Sequence, residues 1–278
     1  MTCCVVIVNW NSGKRLRSCV ESLMTAPTEM EVVVVDNASS DDSMTAIDEF
    51  RNRLNFVRNS TNRGFAAGVN QGFASTSAPH VLILNPDVRA TAVSIASLDS
   101  FLESHARAAA IGGYVNAKYL PRRIATPGSL IREDLGLGNP SSTNPSGVVR
   151  VEQPAAAALM VRRDAFDEVG GFDERFVPAW YEDVDFCRRL IAAGWEIYFD
   201  PSVRFEHEGG YSAESLGPRA FAEAYYRNQL RYAEKHFAAS SRLALRLSLA
   251  AGMVLRTVAR PGNAGAYLNV MTGALGRW

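Results

Sequence analysis

The 278-residue sequence predicts an α/β protein: a mostly parallel, twisted sheet flanked by helices, followed by a helical C-terminal extension. Three observations predict it. Short β-branched runs alternate with helical stretches through the first half of the chain, the runs are apolar throughout, and small polar segments follow them. A strand that is apolar at every position needs burial on both faces, which a parallel sheet covered by helices supplies.

In chain order, runs at 5–8, 31–36, 55–58 and 80–84 read as strands, and stretches at 13–24, 41–53, 65–75 and 92–104 read as the helices that follow them. In such sheets ligands bind beyond the carboxyl ends of the strands. Asn9-Trp10-Asn11-Ser12, Asp36-Asn37-Ala38-Ser39-Ser40 and Asn85-Pro86-Asp87 follow the first, second and fourth strands, so these loops should share one rim. Between 112 and 149 the pattern dissolves into Pro, Gly, Ser and Asn, which predicts a long mobile loop able to cover a site. Beyond it, 155–161 reads as a strand and 163–169 as a short helix stopped by Gly170-Gly171. A helix over 182–193, strands at 196–199 and 203–205, and helix to the end complete the series.

Composition removes several function classes. Lys+Arg (29) and Asp+Glu (29) cancel, so nothing supplies the basic field that a nucleic-acid partner needs. Cys3, Cys4, Cys19 and Cys187 have no CxxC spacing, as expected for free thiols in a reducing compartment. The N-terminal apolar run lacks a basic flank and is too short for a signal peptide or a span, which predicts a cytoplasmic protein. Asn9–Gly13 does not supply GxGxxG, and GxxxxGK[ST] is missing, which argues against a dinucleotide oxidoreductase and a P-loop triphosphatase.

Asp87 ends a buried run at the expected rim, where a carboxylate suits a hard cation such as Mg²⁺ or Mn²⁺; a plain turn residue after Pro86 is the alternative. Asp36, with Asn37, Ser39 and Ser40 beside it, offers donors and acceptors for a nucleobase or ribose, in competition with an N-cap role. Glu182, Asp183 and Asp185 open a helix, where mutual repulsion can hold one carboxyl near working pH as a general base. Capping the helix dipole would explain the same cluster. His207, between Glu206 and Glu208, is either a further metal ligand or a surface residue. Arg63 before Gly64 could meet phosphate, and the small residues after it allow close approach of a ligand or a strand.

Together these segments resemble glycosyltransferase family 2, in particular its rhamnosyltransferase-like members. The resemblance is carried by Asp36-Asn37-Ala38-Ser39, Asn62-Arg63-Gly64-Phe65-Ala66-Ala67-Gly68-Val69-Asn70, Asn85-Pro86-Asp87, Gly170-Gly171-Phe172-Asp173-Glu174 and Glu182-Asp183-Val184-Asp185, over roughly residues 3 to 236. It implies a GT-A fold, with a donor half (1–110) and an acceptor half (111–237) in one domain, and an inverting transfer assisted by a divalent metal. By position, Asp36 corresponds to the base-binding acid, Asp87 to the metal-binding residue of a DxD-type motif, Asp183 to the catalytic base and His207 to a late diphosphate or metal contact. Asn85 stands where the fuller motif has an acid. Asn9, Asn37, Arg63, Gly64, Asn85, Glu182 and Asp185 join Asp36 as the candidate substrate set, with Asp185 binding acceptor or supporting Asp183. The implied partners are a dTDP- or UDP-linked sugar and a glycan or lipid-linked acceptor. A non-catalytic nucleotide-sugar or glycan-binding module on the same fold is the competing function.

The extension, 238–278, contains an apolar stretch at 240–258 interrupted by Arg242, Arg246 and Arg256. One expectation is an amphipathic helix lying on an anionic membrane, at the inner face of the plasma membrane; the other is a helix packed on the domain or on a second subunit, as in a homodimer.

Overall fold

The computed structural model describes residues 3–24, 30–138, 145–207 and 211–278. The four apolar runs become β1 (Cys3–Asn9), β2 (Glu31–Asp36), β3 (Asn55–Arg58) and β4 (His80–Leu84), all parallel in the order β3-β2-β1-β4. The sheet continues through β8 (Ala158–Arg162), β6 (Ala108–Tyr114), β9 (Glu196–Arg204) and β7 (Val149–Val151). Strand β8 runs antiparallel to both neighbours, and β7 runs antiparallel to β9.

Strand side chains alternate between two cores, as the period of two requires. Val5, Ile7, Val34 and Leu82 face α1 (Lys14–Met24) and α3 (Ala92–Ser104). Val6, Val33, Val35 and Ile83 face α2 (Phe65–Ala74) and α6 (Glu182–Ala192). Helix α2 lies close on β1 because its inner face is small: a Cβ at Gly72 would stand 2.2 Å from Val6 Cγ1. Gly72→Ala should therefore destabilise the protein by about 1–3 kcal/mol, read as a lower denaturant midpoint with unchanged slope.

The structure departs from expectation in four places. Strand β6 carries no sequence signal, since Ala108-Ala109-Ala110-Ile111-Gly112-Gly113-Tyr114 is poor in β-branched residues. It forms because β8 and β9 bond it on both sides. The two strands expected at 196–199 and 203–205 are one, β9. The helix expected over 41–53 is a 3-10 helix at Thr45–Arg53, because Asp41 Oδ1 accepts from the Ser43 N–H and hydroxyl and holds a turn ahead of it. The expected loop 112–149 holds α4 (Pro127–Asp134), opened by a Thr126/Ser129 capping box. Residues 139–144 of that loop lie outside the described residues.

A third core joins α4 to α7 (Tyr211–His236), α8 (Ala239–Ala259) and α9 (Ala264–Thr272), with Leu130, Leu230, Tyr232, Leu245, Leu249 and Met253 among its buried members. The extension is therefore packed on the domain along one side. Asp134, fully buried here, accepts from Gln229 Nε2 (3.1 Å) and Ser248 Oγ (3.3 Å), and burial pushes its carboxyl from near 3.8 up to about 7. Between those values the folded protein keeps a proton that the unfolded chain has released, so stability falls as pH rises from about 4 to about 7. Asp134→Asn should remove that dependence and stabilise the protein at pH 8 by on the order of 2 kcal/mol, measured by denaturation at both ends of the range.

Candidate active site

Strands β1 and β2 end level with each other, Asn9 opposite Asp36, which brings their two loops together. Asn9 is fully buried, and its Nδ2 reaches Asp36 Oδ1 (3.1 Å), Ser39 Oγ (3.0 Å) and Ser43 Oγ (3.0 Å). It therefore acts through the Asp36 loop rather than on a ligand. Asn37 donates to the Gly64 carbonyl (2.9 Å) and accepts from Asn59 (2.8 Å). At Gly64 φ is +88° and an added Cβ would lie 3.0 Å from the Pro178 carbonyl, so only glycine lets the Phe65 N–H donate to that carbonyl at 2.7 Å. These contacts close a cleft lined by Trp10, Asn37, Phe65, Asn85, Pro178 and Trp180. Arg63 is not in its lining; it pairs with Glu174 at 3.3 Å on the outer surface.

The turn after β4 is closed by the Val88 N–H donating to the Asn85 carbonyl (3.1 Å). It leads into β5 (Val88–Arg89), which pairs antiparallel with β10 (Glu206–His207), His207 opposite Val88. His207 Nε2 thereby comes within 3.4 Å of Asp87 Oδ2, with both side chains more than 90 % buried. That nitrogen has no hydrogen-bond partner, while Nδ1 lies 3.4 Å from Asn116 Nδ2 and Tyr119 packs on the ring. The pattern from 80 to 104 gave no hint of this ribbon, because its two strands are each two residues long and come from opposite ends of the domain.

Helix α6 begins after two non-glycine residues in the left-handed region, Trp180 (φ 76°) and Tyr181 (φ 72°). Such residues cost about 1–3 kcal/mol each and persist only when neighbours enforce them. Asn228 on α7 enforces these through bonds to the carbonyls of Ala179 (2.8 Å) and Val177 (3.4 Å), and Tyr181 is buried against Tyr225 and Tyr232. Asp183 follows, its Oδ1 accepting from the Val184 N–H (2.8 Å) and its Oδ2 from Gln153 Nε2 (2.9 Å). Burial pushes its carboxyl above the usual range, opposed by the Val184 N–H, the nearby Arg122 guanidinium, the Ala156 N–H and Gln153. Glu182 is raised further by burial and by the adjacent Asp183, and its Oε2 is buried without a partner.

Asp185 faces the other way. It is fully buried among Arg189 (2.8 Å), Lys235 (2.8 Å) and His236 (2.7 Å), so it ties α6 to α7 and leaves the rim. Gln153 and Arg122, neither of them sequence candidates, exchange reciprocal backbone bonds (3.1 and 2.8 Å) that frame Asp183. No periodicity could have found them, since they lie on either side of the irregular stretch that α4 interrupts. The segment from Asn116 to Arg122 touches His207 at one end and approaches Asp183 at the other, and Trp180, three residues before Asp183, lines the cleft with Asn85.

Known proteins share this fold. Residues 4–170 match the family described as Glycosyl transferase family 2. The chain is 26 % identical over 280 residues to an N-acetylglucosaminyl-diphospho-decaprenol L-rhamnosyltransferase of Mycobacterium tuberculosis, covering 91 % of each chain. It is 29 % identical over 215 residues to a pre-mycofactocin glycosyltransferase of the same organism, covering 73 % of this chain and 42 % of that one. Among solved structures, the mannosyltransferase PcManGT from Pyrobaculum calidifontis in complex with GDP-Man and Mn²⁺ superposes with a TM-score of 0.61 at 16 % identity, over 100 % of this chain and 81 % of its own. GalNAc-T7 with UDP, GalNAc and Mn²⁺ gives 0.63 at 16 % identity over 84 % of this chain, which spans 48 % of that structure. The family match over more than half of the sequence and the superposed folds agree: the chain is a glycosyltransferase of GT-A fold and belongs to glycosyl transferase family 2.

Proposed function

We propose that the protein moves a sugar, rhamnose being the first candidate, from a nucleoside-diphosphate donor to a hydroxyl of a lipid-linked glycan, with inversion and with Asp183 as the base. One observation carries the reading. Asp183 is oriented by two hydrogen-bond donors, while burial holds its carboxyl above the usual range and so nearer to that of a useful base at neutral pH. A sugar hydroxyl is too weakly acidic to attack unaided, and Asp183 would take its proton as it approaches the anomeric carbon from the face opposite the diphosphate. Glu182 beside it is raised well above the ordinary carboxyl range by burial and by Asp183, which favours its neutral form and leaves Asp183 as the base of the pair.

In this reading residues 1–110 hold the donor, with Asp36 and Asn37 on the base and ribose, and 111–237 hold the acceptor. Asp87 and His207 fit a divalent cation: a carboxylate oxygen and a buried, unpartnered imidazole nitrogen stand 3.4 Å apart. Among the described residues no group of three His, Cys, Asp or Glu could hold a metal, so substrate oxygens or water would complete the shell, as is common for Mg²⁺ and Mn²⁺. When bound, the cation supplies charge neutralisation at the leaving diphosphate. A lipid-linked acceptor is favoured because the M. tuberculosis relative, alike over 91 % of its length, is named for a diphospho-decaprenol acceptor.

The test is a panel of nucleotide sugars with Mg²⁺, Mn²⁺ or EDTA. One nucleotide class should stabilise the fold by about 2.7 kcal/mol at a hundredfold excess over its Kd, with chelator erasing the effect. Transfer to a lipid-diphosphate glycan should give the inverted anomer. Retention of configuration, or donor binding without turnover under any metal, would remove Asp183 from the mechanism.

A further inference from the structure

We propose that the outer face of α8 docks the protein on an anionic lipid bilayer. The inner face of α8 is already occupied: Leu245, Leu249, Gly252 and Met253 are buried in the third core. On the opposite side Leu243, Leu247, Val254 and Val258 are 60, 55, 50 and 79 % exposed, and Leu255 (58 %) borders them. Spaced by four, seven and four, the first four lie within one narrow stripe of a 3.6-residue helix. Ala251 between them is exposed, and no charged side chain interrupts the stripe. Leu268 of α9 and Leu275 beyond it are exposed as well.

Charge identifies the partner. Residues 238–278 contain five arginines and no Asp, Glu or Lys, within a chain whose total is neutral. Arg246 is held by two carbonyls and by Glu234, and Arg256 by carbonyls of α4, but Arg242 and Arg260, near the two ends of the stripe, make no ion pair among the described residues. An apolar stripe whose own segment carries only cations complements the boundary between anionic headgroups and acyl chains. It suits a second copy of the chain poorly, since a two-fold interface would set one all-arginine surface against another. No described helix is long and apolar enough to cross a membrane, so α8 would lie in the plane of the surface. The inference stands whatever the donor and acceptor prove to be.

Flotation of the full chain tests it, with vesicles of phosphatidylcholine alone or mixed with phosphatidylglycerol. The native protein should float with the mixed vesicles and be released by high salt. Leu247→Glu/Val254→Glu should weaken binding by at least about tenfold, and Arg242→Gln/Arg260→Gln by about 10- to 30-fold on mixed vesicles only. All four positions are surface ones, so an unchanged thermal midpoint in each variant confirms folding. Native protein that stays in solution with both vesicle types overturns the proposal, as does undiminished flotation of the glutamate variant. A dimer in size-exclusion chromatography that the glutamate variant splits, with no flotation, assigns the face to a second copy instead.

Discussion

Asp183→Asn is expected to lower the transfer rate by about 10²–10⁴-fold, the usual contribution of a positioned base, while leaving donor affinity unchanged. The substitution preserves shape. The Val184 N–H can still donate to the side-chain oxygen, and the amide of Gln153 can rotate to present its carbonyl to the new NH₂. What disappears is the acceptor for the hydroxyl proton. The proposed donor contacts at Asp36, Asn37 and Asp87 lie at the ends of β2 and β4 and are untouched. The pH profile adds a second readout. Because burial raises the Asp183 carboxyl, kcat/KM of the native enzyme should rise with pH through that elevated value and then level off, and the rise should vanish in the variant. Near-native turnover by Asp183→Asn, or a donor Kd that worsens in step with the rate, would falsify the assignment.

Asp87→Ala should weaken metal-dependent donor binding by at least about 10–100-fold, since even outer-shell partners of a metal contribute that much. Turnover should fall by roughly 10²–10³, the loss that follows removal of one stabiliser of developing charge. His207→Ala should act in the same direction, because its buried Nε2 points at the same place. The local fold is not at risk from either change: the Asn85 turn and the β5–β10 ribbon are held by backbone bonds. Donor titrations at increasing Mn²⁺ measure the effect directly. An Asp87→Ala protein that binds donor at the native metal midpoint, and still loses it to EDTA, places the cation elsewhere.

The parallel half of the sheet was legible because its code is local. A strand buried on both faces must be apolar at every position, and Val5-Val6-Ile7-Val8 and Val32-Val33-Val34-Val35 state that without help from the rest of the chain. The rim loops followed from the same reasoning, and the structure brings Asn37 and Asn85 into one cleft. Strand β6 was illegible for the opposite reason: small residues with weak strand preference become a strand only once β8 and β9 are in place. Helix α4 lies where the sequence reads as loop: its Thr126/Ser129 capping box is short-range, and eight residues between loops gain a buried face only against α8 and α7. Arg63, ahead of a helix rich in small residues, reads as able to meet phosphate, and the fold pairs it with Glu174, 111 residues away.

By itself, then, the sequence determined the family, the layer order of the first half, and the clustering of acids at residues 182–185. Tertiary structure alone decided what each of those acids does. Successive helix positions turn by about 100°, so three acids within four residues must diverge in direction. Glu182 turns into the interior, Asp183 meets Gln153, and Asp185 meets Arg189, Lys235 and His236. The helix fixes the angles between them, and only the packing of α7 and the 122/153 pair determines which partner each acid meets.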